Sequence, residues 1–195
     1  MASEAIAPAQ HATREKLLDA GVSVAESHGL TGLSVNRVVA QAGVAKGTFY
    51  VHFADRSAFV DALHARFHAS VTDAVAGMTE GLPPGAERII RGAEAYLDLC
   101  LEHRAVKALA VEARSDPALT ASMSARHERF AAAAVPSFRT MGWRDAPTAA
   151  QLFAAMTSEV AIRELEAGRR LVAARRTLRR FLGSDVAGDP VTAHA

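Results

Sequence analysis

Gly43 constrains the fold of this chain more than any other residue, because it separates two short segments with the residue spacing of helices. The first segment follows Ser34, a good N-cap residue, and the second runs from about Lys46 to Phe53. The apolar side of the first segment is formed by Val35, Val38, Val39 and Ala42. Glycine permits the left-handed backbone that a tight interhelical turn requires. The sequence therefore predicts two short helices joined by a tight turn.

Helical patterning continues on both sides of this pair, without a strand-like alternation or an internal repeat. A helix is predicted from Thr13 to His28, and Gly29 is expected to end it. Asp55 is expected to cap a fourth helix, which ends before the break at residues 81–85. Further helices are predicted at about 86–103, 106–113, 117–138 with a bend at Pro136, 148–167 and 171–183. Aromatic residues make up only 6% of the chain, so Ala, Leu and Val must fill the interior. The predicted fold is all-α, with about nine helices.

Composition limits both the compartment and the kinds of site. Cys100 is the single cysteine, which excludes an intrachain disulfide and a thiolate metal cluster and fits a reducing cytosol. No stretch approaches the roughly 18 apolar residues that cross a bilayer, and the N-terminus lacks the pattern of a secretory signal. We therefore expect a cytoplasmic protein with no membrane segment. Because the net charge is only +1, a nucleic-acid site would depend on where the charges lie.

The exposed side of the third predicted helix has side chains that suit DNA. Phe49 and Phe53 are four residues apart and can pack inward together. The residues left on the remaining surface are Lys46, Gly47, Thr48, Tyr50, Val51 and His52. These side chains offer donors to phosphates and base edges, and an apolar contact to a thymine methyl group. A pair of helices joined by a glycine-containing turn is also the geometry that places a second helix in the major groove.

The stretch from Thr13 to Val71 resembles the TetR family of transcriptional regulators. The resemblance lies in the Gly43-Val44 turn, in the run Lys-Gly-Thr-Phe-Tyr-Val-His-Phe at 46–53, and in the Asp-Arg pair that opens the fourth helix. It implies a three-helix, helix-turn-helix head and a helical body that binds a small molecule and dimerises through its last two helices. The DNA-contacting positions that it implies are Ser34, Val35, Asn36, Lys46, Gly47, Thr48, Tyr50, His52 and Arg56. Ala45 departs from the pattern, since many relatives have a capping Ser there.

Arg56 supports a phosphate contact on separate grounds. A cation in the first turn of a helix opposes the helix dipole by roughly 0.3–1 kcal/mol. A bound phosphate would reverse that penalty, because helix N-termini attract anions. The alternative is an exposed arginine that tolerates the penalty.

The resemblance also suggests how the chain is divided. Residues 1–12 are expected to be a disordered tail, 13–56 the DNA-binding domain, 57–183 the ligand-binding and dimerisation domain, and 184–195 a flexible tail. Candidates for the lining of an effector pocket, each of which could equally be plain core, are Tyr96, Cys100, Leu109, Met123, His127, Phe130, Trp143, Met156 and Glu159. Glu159 and Arg163 are four residues apart, and can pair with each other, lie at the dimer interface or orient a ligand.

Three other patterns point to ordinary structural roles. The basic run at the C-terminus, formed by Arg169, Arg170, Arg175, Arg176, Arg179 and Arg180, suggests a second nucleic-acid or lipid site. An apolar stripe on the same helix, formed by Leu171, Ala174, Leu178, Phe181 and Leu182, favours a solvent-facing surface instead. The residues His103, Glu112, His127 and Glu128 lack metal-ligand spacing. No catalytic constellation is recognisable, so we predict no enzyme activity, cofactor or metal.

The predicted function is that of a one-component regulator that binds a near-palindromic operator as a homodimer. Repression is the usual mode of the family, and a small-molecule effector of unknown identity would release the DNA. Two alternatives stay open. One is a sequence-tolerant DNA-organising protein with the same head, and the other is a helical adaptor that has lost DNA binding.

Overall fold

Helices account for the regular secondary structure of residues 2–104 and 117–183, which are the residues that this computed structural model describes. In chain order they are α1 (Ala2–Gly32), α2 (Val35–Ala42), α3 (Lys46–His52), α4 (Arg56–Met78), α5 (Ala86–Glu102), α6 (Pro117–Ala132), α7 (Val135–Thr140), α8 (Ala146–Ala167) and α9 (Val172–Phe181). The predicted all-α class is confirmed. The helix predicted at 106–113 and the tail predicted at 184–195 lie outside the described residues.

The first helix is longer than predicted at both ends. It begins at Ala2, so residues 2–12 are helical and the disordered tail predicted there is contradicted. This stretch contains five alanines, the residue with the highest helix propensity. The backbone leaves helical geometry at Gly29, where φ is 65°, and helical structure then continues to Gly32. The expected end at Gly29 is therefore a kink.

The helix predicted over 117–138 is two helices. α6 ends at Ala132, a turn follows, and α7 begins at Val135 with Pro136 in its first turn. A proline in that position costs no helical hydrogen bond, because the first N–H groups of a helix have no intrahelical partner. Pro136 therefore starts a new helix and does not bend an existing one.

Two apolar cores divide the described chain, and α4 contributes to both. The N-terminal core contains Leu17, Leu33, Phe49 and other residues of α1–α3, and extends along α4 to Leu63. The second core begins with Phe67 on the next turns of α4 and continues through α5, α7, α8 and α9. We call the parts built on these cores the head and the body. Because α4 is continuous, a displacement of its body half must also move its head half.

Gly21 allows α1 to lie close against α4. A Cβ atom at this position would be 2.5 Å from Cζ of Phe59 and 3.2 Å from Cδ1 of Leu63. A glycine inside a helix costs up to about 1 kcal/mol relative to alanine. The close approach of the two helices offsets that cost.

A charged network holds α9 against the body. Glu164 on α8 is fully buried, and its carboxylate accepts two hydrogen bonds from Arg175 of α9, at 2.7 and 2.6 Å. The Arg175 guanidinium also donates to Asp98 of α5 at 2.6 Å, and Arg179 pairs with Glu94 of the same helix. These carboxylates raise the pKa of Arg175 in spite of its burial.

The predicted solvent-facing role of the basic run is therefore wrong for Arg175, whose side chain is only 11% exposed. For Arg179 the predicted role is incomplete, because this arginine forms an ion pair with Glu94. Phe181 was predicted to lie on the packed apolar stripe of this helix. Its side chain is instead 59% exposed. The helix is rotated so that Leu178 and Leu182 pack inward while Phe181 faces outward.

No helix in residues 2–104 and 117–183 has both the length and the apolarity needed to cross a bilayer.

We predict that Arg175→Met destabilises the protein by about 3–5 kcal/mol, because it leaves the Glu164 charge buried without its partner. The double variant Arg175→Met, Glu164→Leu should recover most of that loss, since it removes both charges together. The measurement is the free energy of unfolding from urea denaturation. The exposed pair Glu159–Arg163 provides the control, and Arg163→Met should change stability by less than about 1 kcal/mol. Equal effects of the two single substitutions would contradict this account.

Candidate nucleic-acid interface and ligand cavity

The turn between α2 and α3 has the geometry that the sequence predicts. Ser34 caps α2 by accepting a hydrogen bond from the Arg37 N–H at 3.3 Å. Gly43 ends the helix in the left-handed region, with φ 62° and ψ 42°, and the Val44 N–H donates to the Val39 carbonyl at 3.0 Å. Ala45 precedes α3 and makes no side-chain capping bond, as expected.

Aromatic packing fixes the orientation of α3. Phe49 is completely buried, and its ring centroid lies 5.3 Å from that of Phe53 and 5.2 Å from that of Phe59 on α4. Phe53 and Phe59 meet edge to face at 4.9 Å, and Arg14 of α1 lies over the Phe53 ring at 5.3 Å. These contacts turn one side of α3 towards the head core and leave the opposite side to solvent.

That outward side carries four of the six DNA-contacting residues that were predicted on α3. Lys46 and Tyr50 are four residues apart, as are Gly47 and Val51, so the four form one continuous surface. All four are exposed, with Tyr50 at 51% and Val51 at 69%. We call them the α3 face. Thr48 and His52 are half-buried and border it.

The predicted residues of α2 and α4 lie around the start of α2. Ser34 and Asn36 are exposed and Val35 is half-buried. Arg56 occupies the first turn of α4, as predicted, and its Nε donates to the Leu33 carbonyl at 2.7 Å. Asp55 caps the same helix by accepting from the Ala58 N–H at 2.8 Å. The bond from Arg56 to the α1–α2 loop gives its cation a structural role that the sequence analysis did not consider.

Arg37 is a further cation at this surface that the sequence analysis missed. It is exposed on α2, and its Nη1 donates to the Gly32 carbonyl at 3.0 Å. Arg37 and Arg56 thus reach adjacent carbonyls of the loop before α2. The charge pattern contains a signal for it, because residues 27–54 include Arg37 and Lys46 but no Asp or Glu. A segment with basic and no acidic side chains suits a polyanion.

The body contains a cavity of about 110 Å³ that is lined by residues from α4 to α8. Three of the predicted pocket residues line it, namely Tyr96, His127 and Phe130. Most other lining residues are small or apolar: Val75, Ile89, Gly92, Ala93, Ala131, Ala133, Ala134, Ala150, Phe153 and Ala154. Sequence periodicity contains no information on where packed helices leave a space.

The other predicted pocket residues do not line this cavity. Cys100 is 1% exposed within the body core, and Met123 packs against the head core. Trp143 is 46% exposed with its ring against Phe138, and Met156 packs against the body core. Leu109 lies outside the described residues. Glu159 pairs with Arg163 at 2.8 Å on the surface, the first of the three roles considered for it.

A polar chain connects the cavity wall to the head. His68 lines the cavity, and its ring meets that of His64 at 4.6 Å, one turn earlier on α4. His64 is buried and its Nδ1 accepts a hydrogen bond from Nε of Arg126 at 3.2 Å. Arg126, on α6, also pairs with Asp61 in the first turns of α4. This chain spans the part of α4 where the head core gives way to the body core.

Within residues 2–104 and 117–183, no three His, Cys, Asp or Glu side chains come together as a candidate metal site.

The head of this chain is similar in sequence to known proteins. Residues 17–63 match the family model described as bacterial regulatory proteins, TetR family. The HTH-type transcriptional regulator YvdT of Bacillus subtilis strain 168 is 33% identical over 67 residues. That match spans about a third of either protein, 34% of this chain and 34% of YvdT.

Solved structures share the whole fold. A TetR-like transcriptional regulator from Rhodococcus sp. RHA1 superposes with a TM-score of 0.70 at 20% identity, over 91% of this chain and 97% of that one. The fatty acid degradation regulator FadR from Bacillus halodurans gives a TM-score of 0.76 at 16% identity, with the same coverage. Residues 17–63 are therefore similar in sequence to the TetR family of bacterial regulatory proteins, and the fold of the chain is similar to that of solved TetR-like regulators.

Proposed function

We propose that this protein is a transcriptional regulator that binds operator DNA as a homodimer, with α3 of each protomer in a major groove. The operator is near-palindromic, because a two-fold symmetric dimer presents two identical heads. A small molecule that binds the body weakens DNA binding, so the protein acts as a one-component repressor in the cytoplasm.

The observation that carries this proposal is the α3 face. Lys46 and Tyr50 project from a helix that the Phe49, Phe53 and Phe59 rings hold in place, so donors for phosphates and base edges stand on a fixed support. The exposed 69% of Val51 supplies an apolar contact of the kind that a thymine methyl makes. The absence of acidic residues between 27 and 54 favours the approach of a polyanion.

Exposed apolar side chains on the last two helices support the homodimer. Leu152 of α8 is 61% exposed, and Val172 and Phe181 of α9 are 71% and 59% exposed. Large apolar side chains at this exposure are typical of surfaces that bury against another protein. The charged network around Arg175 fixes α9 on the body, so this surface is presented in a defined geometry.

Effector control is supported by the position of the cavity beside α4. A ligand against His68 contacts the chain of side chains that reaches Arg126 and Asp61. A shift of α4 would change the distance between the two heads of a dimer and their fit to successive major grooves. The coupling needs only about 1–3 kcal/mol, a change of roughly 5- to 150-fold in operator affinity.

Two other functions fit the same fold. A sequence-tolerant DNA-organising protein would bind its own promoter DNA and random DNA with equal affinity. A helical adaptor that has lost DNA binding would bind neither. The exposed Lys46 and Tyr50 favour a DNA-binding protein over the adaptor, and the binding measurement below separates all three.

We predict that the purified protein binds DNA from its own promoter region at least about 10³-fold more tightly than random DNA of equal length. Affinity should fall with salt at a log–log slope of about −0.9 per neutralised phosphate. Lys46→Ala and Tyr50→Ala should each weaken promoter binding by 10-fold or more, because each removes a contact from the α3 face. Fluorescence anisotropy of labelled DNA measures all of these values.

Arg91→Ala is the matched control for these variants, since Arg91 is an exposed cation on the body, paired with Glu87. It should bind promoter DNA like the wild type. Wild-type affinity in both α3 variants would refute the assignment of this helix. Equal affinity for promoter and random DNA would favour the organising protein, and no binding at low salt would favour the adaptor.

We also predict that Leu152→Glu combined with Phe181→Glu converts the dimer to a monomer at micromolar concentration, because two carboxylates would have to be buried in the interface. Sedimentation velocity reports the mass, and anisotropy should show at least a 10-fold loss of promoter affinity. Met78→Glu is the control, since Met78 is 54% exposed and belongs to a different helix, α4. A dimeric double variant would place the interface elsewhere.

A further inference from the structure

One of the residues around the body cavity is an arginine whose charge has no carboxylate partner in the described residues. Arg88 lies in the first turn of α5, is half-buried and lines the cavity. Its Nη1 donates to the carbonyl oxygens of Thr79 at 2.9 Å and Leu82 at 2.8 Å, in the segment that follows α4. Backbone carbonyls offset only part of a full positive charge.

The positive charges of other arginines in the body are balanced by carboxylates. Arg91, Arg126, Arg163 and Arg175 each lie within ion-pair distance of a carboxylate. Across residues 2–104 and 117–183, no ion pair joins Arg88 to Asp or Glu, and its hydrogen bonds involve Nη1 and not the Nε–Nη2 edge. A charge beside an apolar cavity is costly unless it is paired. Arg88 is therefore suited to an anionic group brought by a ligand.

Most of the other polar side chains of the cavity wall interact within the protein. The Thr79 hydroxyl donates to the Val75 carbonyl at 2.7 Å, and the Thr157 hydroxyl donates to the Phe153 carbonyl at 2.8 Å. The side chains of His68, Tyr96 and His127 also take part in interactions within the fold. Among the described residues that line the cavity, Arg88 is the one with a permanent positive charge.

The size and the lining of the cavity define the rest of the ligand. One water molecule needs about 10–15 Å³ of such space, so 110 Å³ accommodates roughly seven to eleven groups of that size. The lining is mostly alkyl and aromatic carbon, contributed by small residues of α5, α6 and α8 and by Phe130 and Phe153. An apolar chain or ring of about eight carbons therefore matches the space.

We propose that the cavity binds a monocarboxylate with an apolar body of about eight carbons, whose carboxylate pairs with Arg88. The planar guanidinium presents two parallel N–H donors on one edge, which match the two oxygens of a carboxylate. The apolar body occupies the space beside Phe130 and Phe153. This inference rests on the proposed function in one respect, that the bound carboxylate is the effector that weakens operator binding.

Titration calorimetry of the full-length protein without DNA tests the binding step, with octanoate and 1-octanol as probes. The wild type should bind octanoate at least about 10-fold more tightly than 1-octanol. Arg88→Gln should lose 10-fold or more of the octanoate affinity and keep its 1-octanol affinity within about 2-fold. Arg88→Lys retains the positive charge but loses the two parallel N–H donors of the guanidinium, so it should keep a reduced preference for octanoate over 1-octanol.

Two further variants show whether a loss of octanoate affinity comes from a missing contact or from a misfolded protein. Arg91→Gln changes an exposed, paired arginine one turn along α5 and should bind both probes like the wild type. Ala154→Phe fills the cavity from α8 and should weaken both probes by 10-fold or more, with a cooperative thermal unfolding transition retained. No binding of octanoate by the wild type, equal affinity for the two probes, or wild-type octanoate affinity in Arg88→Gln would each overturn the proposal.

Promoter binding with and without octanoate then tests the effector role separately. A decrease of 5-fold or more in promoter affinity, absent in Arg88→Gln, would support it. Octanoate binding through Arg88 with unchanged promoter affinity would overturn the effector role. Octanoate binding by a protein that fails to bind promoter DNA would refute the proposed function and leave the carboxylate site standing.

Discussion

The packing of the Phe49, Phe53 and Phe59 rings is the interaction on which the arrangement of the head depends. α3 has only seven residues and no side-chain cap, and helices of that length are unstable alone in water. Its geometry therefore comes from burial of the two phenylalanines it presents to the core. The same burial determines which side chains face outward, because residues three and four apart on a helix share a side. The α3 face is a consequence of the core beneath it.

Phe59 connects this arrangement to the rest of the molecule. It lies on α4, in contact with both rings from the α3 segment, and Gly21 lets α1 approach it closely. Two turns later the same helix supplies Phe67 and then Val71 to the body core. A helix shared by two cores transmits displacement, since close-packed interiors do not absorb it. The chain from His68 through His64 and Arg126 to Asp61 adds polar contacts along the same path.

The arginines of the body show that one residue type has several roles, set by its neighbours. Arg175 completes a buried network with Glu164, which orders α9 and so presents Phe181 to solvent. Arg163 forms an exposed pair that contributes little to stability. Arg88 donates to the carbonyls of Thr79 and Leu82, just after α4, and is among the residues that line the cavity. Their side chains are identical, and burial and the nearest carboxylate distinguish their roles.

Local rules were sufficient for the turn and for much of the head. The left-handed conformation of Gly43, the caps by Ser34 and Asp55, the missing cap at Ala45 and the inward Phe49 all follow from side-chain chemistry within a few residues. The all-α class follows in the same way from periodicity. Each of these features is determined by neighbours in sequence, which is why a single sequence predicts them.

Features that depend on residues distant in the chain were decided only by the tertiary structure. Periodicity identified the core helices, but the cavity forms where small residues from several helices face one another, and its lining is three of the nine predicted residues together with many that were not predicted. The roles of Arg175 and Arg56 were missed because their partners, Asp98 and Leu33, lie 77 and 23 positions away. The sequence by itself determined where the helices of the head turn and which side of α3 faces outward, because short-range sterics and apolar spacing control both. Tertiary packing decided which charges are buried, which are exposed and where the interior stays open.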